Sequence, residues 1–266
     1  SNWKWLFILE GVVSLLVLIP WLLLVSDRPE TAKWLDKRER DYITGKLEEE
    51  KESLSQGPKQ IASLKEVLRN GTMIKLIVLN FCYQCGIYGF GLWLPSLLKN
   101  LTHSGMNQIG WLSALPYVGC AIGMLFVAQV SDKTGRRKPF IVIPLIGFAL
   151  CLLLSVKLSS MIWVSYAFLV GCGFFLQAAA GVFWTIPPRL FSPEVAGGAR
   201  GVINGIGNLG GFAGPYLVGL LIQMYNYDVG IYGLVVLLVV GAALTISLPS
   251  SIDEEVKTEQ TAPATH

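Results

Sequence analysis

Charged side chains are scarce in this chain of 266 residues, at 15% against about 25% in an average soluble domain. Hydrophobic residues make up 53% and aromatics 11%. A soluble protein reaches such a balance only around a very large core, whereas a bilayer demands about 20 consecutive apolar residues per spanning helix. Histidine is rarer still, with only His103 and His266. That scarcity argues against a Ser/His dyad or a His/Asp metal cluster in any span, and so against an intramembrane enzyme. The five cysteines, Cys82, Cys85, Cys120, Cys151 and Cys172, all fall inside apolar runs and read as small hydrophobic residues. Cys82 and Cys85 form a C-x-x-C without a second pair, which is too little for zinc. A secretory leader is also missing from view, because the run after Lys4 is too long and lacks a small-residue cleavage pattern.

Long apolar runs are what the chain does have. Seven stand out: 5–25, 73–98, 109–130, 140–156, 162–186, 202–223 and 227–248, the fourth being short for a full span. An all-α, multi-pass membrane protein is the expected class. Alternate connections divide the cations very unevenly. Eighteen Lys and Arg fall on one side, leaving Lys4, Lys99 and Lys157 on the other. By the positive-inside rule the eighteen face the cytoplasm, which puts Ser1 outside and the C-terminal tail inside, with Lys75 a simple anchor. Glu10 is the one clear acid within a span, near Lys4, where a structural or snorkelling role outweighs titration.

The domain reading follows from these runs. Residues 1–25 form one span, 26–72 a cytoplasmic connection with amphipathic helices, 73–248 a six-span bundle and 249–266 a cytoplasmic tail. The connection carries ten cations and ten acids. Trp34, Leu35, Tyr42, Ile43 and Leu47 recur there at helical spacing, and "IASLKEVLRN" forms a second amphipathic stretch. A solvated linker and a surface brace both fit. A chain that starts with Ser and arranges its spans as 1 + 6 is expected to be the end of a 6 + 6 carrier built from parallel repeats.

Two patterns need separating from chance. "GIGNLG", Gly205 to Gly210, satisfies the dinucleotide fingerprint, with Asp228 at about the expected distance. The fingerprint requires a strand before it and a helix after it, whereas here it lies within one apolar run. Asn70-Gly71-Thr72 and Asn100-Leu101-Thr102 fit the glycosylation acceptor pattern. The first would be cytoplasmic and so irrelevant, and the second matters only in a eukaryote. Neither a cofactor nor a nucleic-acid partner is expected.

"SDKTGRRK", residues 131–138, concentrates four cations and one acid between two runs. Orientation alone explains the cations. It does not require Asp132, which can cap a helix N-terminus or pair with Arg136 or Arg137, nor Gly135, which permits a tight reversal. The D-x-x-G-R-R/K pattern of Asp132, Gly135, Arg136, Arg137 and Lys138 resembles the loop motif of the major facilitator superfamily. "WKWLFILEG", "RPETAKWLDKRERDYI", "YGFGLWLP", "WLSALPYV" and "GVINGIGNLGGFAGPYLVG" are similar to the anion:cation symporter branch, especially its tartrate- and phthalate-permease-like members. The resemblance implies proton-driven uptake of an organic anion, such as a hydroxy-dicarboxylate or sugar acid. It numbers the spans six to twelve, which makes residues 1–25 the last span of the N-terminal six-span half and leaves the rest of that half missing from this sequence. It also implies that Asp132, Gly135, Arg136 and Arg137 hold the cytoplasmic side closed in the outward-facing state, and it places polar substrate contacts on spans seven, ten and eleven.

Polar side chains are costly inside a bilayer, so they line cavities or helix interfaces. Asn80, Gln84 and Tyr88 recur at i, i+4, i+8 and share a helix face, as do Asn204 and Asn208. Gln177 and Trp184 lie seven apart. Together they offer neutral donors and an aromatic wall to a small anion. Interhelical hydrogen bonding is the alternative and is preferred for Gln177. Pro215 is expected to kink the glycine-rich sixth run, whose Gly201, Gly205, Gly207, Gly210, Gly211 and Gly214 invite close helix approach. Apart from Lys75, the anchor at the start of its run, no Arg or Lys lies within the last six runs, so a cationic partner for an anion is expected in the missing half, together with the proton-carrying carboxylates. The rival reading is a seven-span receptor, whose topology is the same but whose extracellular loops would ordinarily carry a cysteine pair.

Overall fold

The computed structural model describes residues 3–26, 28–32, 34–56 and 69–253. Among these residues the regular structure is helical, with no strand. Seven described helices or interrupted helices are long and apolar enough to cross a membrane by length and composition. The chain divides into two compact units, residues 1–59 and 60–266.

The first unit holds α1 (Trp3–Leu24) and α2 (Lys37–Gln56). The 22 residues of α1 reach about 33 Å, enough for a hydrocarbon layer of about 30 Å. Before α2, the Asp36 carboxylate accepts the Lys37 N–H at 2.7 Å, and the Arg40 guanidinium donates to the carbonyls of Ala32 and Leu35 at 3.0 and 3.2 Å. The charged connection thus begins with a folded turn. Its second amphipathic stretch lies outside the described residues except for Arg69 and Asn70.

The second unit is a helical bundle. Its first helix, α3 (Gly71–Thr102), is capped by Asn70, whose side chain accepts the Thr72 N–H at 2.7 Å. α4 (Met106–Thr134) ends at Gly135, whose φ of 67° is the left-handed conformation that glycine adopts without a Cβ penalty. α5 (Pro139–Lys157) has 19 residues, about 28 Å, and so extends the short fourth run at both ends to a length and composition that suit a membrane crossing.

The fifth and sixth runs are broken helices. The fifth is α6 (Ile162–Leu176), α7 (Ala180–Phe183) and α8 (Pro187–Leu190); the sixth is α9 (Pro193–Gly207) and α10 (Gly210–Met224). At each break the backbone tightens to i→i+3 bonds, as in Ala178 N–H to Phe175 O, Ala180 N–H to Gln177 O, Leu209 N–H to Ile206 O and Gly211 N–H to Asn208 O. Gly207 and Gly210 flank the break in the sixth run and weaken helix there. The interruption falls at 208–209, whereas Pro215 lies inside α10. The last span is α11 (Tyr227–Ile246).

α3 is the central helix of this unit and packs on α9, α10 and α11; α5 packs on α6 and α11, and α4 on α6. Phe90 of α3 and Phe148 of α5, both fully buried, meet edge to face at 5.6 Å between ring centroids. Glycine allows the close approaches. A Cβ on Gly210 or Gly214 would run into the α3 backbone at Phe81 and Cys85, and one on Gly207 into the Asn80 side chain. Gly201 and Gly205 face open space. A second seam, between α4 and α6, rests on Gly123 against Phe174 and Gly173 against Pro116.

At one end of the bundle the segment after α11 is tied down from several sides. The Asp253 carboxylate accepts the N–H groups of Arg137 (2.6 Å) and Lys138 (3.2 Å), satisfying orphan donors at the start of α5. Lys75 donates to Ser247 O at 2.8 Å, Arg189 to Ile252 O at 3.1 Å, and Lys138 Nζ to Leu248 O. These three cations meet the negative end of the last helix and the turn that follows it. Leu248 and Ile252 are buried beneath.

Candidate functional site

The broken fifth and sixth spans both pack beside α3, and a cavity of about 220 Å³ opens between α3 and the fifth. Its lining includes Asn80, Tyr83, Gln84, Tyr88, Gln177 and Trp184. A neighbouring space of about 330 Å³ shares Ile87, Tyr88 and Gln177 and adds Tyr117 and Leu92. Breaking a helix frees carbonyls, and the side chains around the cavity take them up. Tyr83 Oη donates to Leu176 O, at the end of α6, at 2.9 Å. Asn80 Nδ2 donates to Ile203 O at 3.1 Å, and the Arg200 guanidinium to Trp184 O at 2.9 Å.

The predicted residues divide by what they do. Gln84 Nε2 donates to Asn208 Oδ1 at 2.5 Å, and Asn208 Nδ2 to Asn204 Oδ1 at 2.8 Å. This ladder joins α3 to the break between α9 and α10, so the two readings of Gln84 and Asn208 coexist. They bond across helices, and Gln84 lines the cavity while Asn204 and Asn208 stay exposed. Asn80 is only 3% exposed, and its donor is engaged in holding α9, which makes it more a strut than a hand. Tyr88, half exposed, faces both cavities. Trp184 forms a wall, edge to face with Phe183 at 5.0 Å.

Sequence reading missed several residues. Tyr83 passes for core because its single hydroxyl carries no periodic signal. Gln177, expected to bond between helices, lines both cavities instead. Arg200 read as a loop cation because the apolar run begins only at 202. The observed span covers Val195–Met224 and contains it. Spacing then places Arg200, Asn204 and Asn208 on one helix face at i, i+4, i+8. The expectation that the last six spans carry no cation beyond the Lys75 anchor is thereby corrected.

The octapeptide forms a compact cluster away from this cavity. Arg137 Nη1 donates to Asp132 Oδ1 at 2.6 Å and to Ser131 Oγ at 3.0 Å, and Ser131 Oγ donates to Arg136 O at 2.9 Å. Of the two arginines open to Asp132, the structure uses Arg137, while Arg136 is exposed. The pair is lopsided, since the Arg137 side chain is 11% exposed and that of Asp132 68%. The α5 N-terminus is capped by Asp253, not by Asp132.

The sequence profile of the Major Facilitator Superfamily matches residues 76–265. The chain is 28% identical over 255 residues to a quinolone resistance transporter of Acinetobacter baumannii, covering 96% of this chain and 58% of that protein. It is similar to two putative tartrate transporters of Agrobacterium vitis, at 30% over 257 residues (96% of this chain, 58% of the relative) and 28% over 261 (97% and 57%). The chain therefore spans under three-fifths of the length of these relatives. The profile and the relatives describe transporters, which leaves neither the enzyme nor the receptor reading standing, and the chain belongs to the Major Facilitator Superfamily.

Proposed function

We propose that this chain supplies the C-terminal bundle of an alternating-access carrier that takes up a small organic anion, a hydroxy-dicarboxylate or sugar acid such as tartrate, together with protons. The observation that carries the reading is the polar ladder Gln84–Asn208–Asn204 beside two broken helices, whose Gln84 end lines a cavity walled by Tyr88 and Trp184. Broken helices at a cavity are where carriers place substrate sites, because irregular backbone survives at membrane depth only beside protein or water. Neutral amide donors suit hydroxyls and carboxylates. The partner half of six spans would face this cavity and add the proton-carrying acids. The protein would lie in the plasma (inner) membrane with Ser1 outside and the C-terminus in the cytoplasm, residues 26–72 forming the cytoplasmic connection.

Uptake of labelled tartrate by the intact carrier across an inward proton gradient tests this reading. Gradient-dependent accumulation is expected. Uptake indifferent to the gradient, or absent for every carboxylate tried, overturns it. The quinolone-linked relative favours a second reading, an aromatic drug held by Tyr88, Phe183 and Trp184; competition of tartrate uptake by a quinolone separates the two.

In the same reading Asp132 and Arg137 form the cytoplasmic gate. The Asp132 carboxylate, mostly exposed, is available to the facing half. Asp132→Asn is expected to leave membrane orientation normal while shifting the carrier towards inward-facing states, read as a several-fold change in the labelling rate of a reporter cysteine on the outer side. An unchanged rate reduces the loop to an anchor.

A further inference from the structure

Arg200 is the one cation inside the broken sixth span, among the described residues, on the face that carries Asn204 and Asn208. An arginine in a spanning helix is costly and marks a functional position by default. It is exposed, so no interface among the described residues buries it. One of its five N–H donors goes to the carbonyl of Trp184, a wall residue of the cavity, at 2.9 Å. That bond ties the guanidinium to the backbone of a residue whose side chain lines the cavity. Asn204 lies one turn away, about 6 Å along the axis, and Asn208 about 12 Å. The helix face that carries the two asparagines of the ladder thus also carries a positive charge, one turn nearer the start of α9 than Asn204.

We propose that Arg200, with Asn204 beside it, is a carboxylate-docking position at the mouth of the cavity. An anion would rest there on its way between the aqueous end and the Gln84–Asn208 ladder. The planar fork of guanidinium matches a carboxylate through two parallel N–H donors, which a lysine ammonium does not. A fixed cation at the mouth of a low-dielectric cleft also raises the local concentration of anions. The inference rests on the organic-anion reading above and assigns a charge contact that the neutral amides of the ladder do not provide.

Two measurements test it. In the intact carrier, Arg200→Gln is expected to raise KM about tenfold for a dicarboxylate and less for a monocarboxylate of the same size, with kcat little changed. Arg200→Lys is expected to recover part of the loss. Equal effects on both acids, with falling protein yield, mean that Arg200 only props up the Trp184 carbonyl, and the proposal fails. The second measurement needs no transport: phenylglyoxal labelling of Arg200 in the purified chain, read by peptide mass, with tartrate or the neutral polyol erythritol present. Protection by tartrate alone supports a carboxylate at Arg200; equal labelling with both overturns it. Failed uptake with retained protection defeats the transport reading but not the docking position.

Discussion

Gly214→Ala is expected to destabilise the bundle, whereas the same change at Gly205 leaves it as stable or more so. In an ordinary helix interior, alanine in place of glycine gains up to about 1 kcal/mol. That gain is available at Gly205, where an added methyl meets nothing within 4 Å. At Gly214 the methyl would fall on the backbone of Cys85, against its carbonyl oxygen, its Cα at 2.6 Å and its carbonyl carbon at 2.9 Å. Backbone does not rotate out of the way as a side chain does. α10 would have to move off α3, losing packing along the whole seam, and overpacking of this kind costs about 1–3 kcal/mol. Without a hydrophobic drive between helices in lipid, close packing is most of what holds the two together. Thermal unfolding of the two variants in detergent checks the sign; equal midpoints would mean that the seam yields freely.

Asn208→Ala should raise the apparent KM for the transported anion about tenfold, equivalent to about 1.4 kcal/mol. Asn208 is the middle rung of the ladder, accepting from Gln84 and donating to Asn204. Removing it takes away one contact and releases its neighbours into other rotamers. Gln84→Ala should produce a comparable loss. The pair should then be non-additive, the double variant being little worse than either single, because both changes break the same bond. Initial-rate uptake over a concentration series gives the four values. Unchanged affinity in both single variants would assign the ladder to helix packing alone.

The spans were legible because lipid imposes a coarse rule: about 20 apolar residues in a row. Hydropathy located all seven, but it averages over a window and therefore hid the breaks at 177–179 and 208–209, which contain no charge and no proline. The same averaging started the sixth span at 202, because Gly197, Gly198 and Arg200 lower the local mean although the helix already runs through them. Glycine spacing announced close contact, but only three-dimensional neighbours reveal that 207, 210 and 214 are used and 201 and 205 are not. Asn80, Gln84 and Tyr88 share a face by period, yet burial separates them into a strut, a rung and a wall. The octapeptide offered Asp132 two arginines, and sequence has no means of choosing between neighbours whose side chains diverge.

The turn after the last span has a practical consequence for handling the protein. Asp253 caps a helix that begins more than a hundred residues earlier, and the carbonyls of Ser247, Leu248 and Ile252 are the resting places of Lys75, Lys138 and Arg189. The end of the last membrane crossing is therefore not a safe place to cut or to graft. A truncation there removes the cap of another helix and leaves the three lysine and arginine contacts without their acceptors, whereas a tag placed after residue 253 leaves every one of these bonds in place.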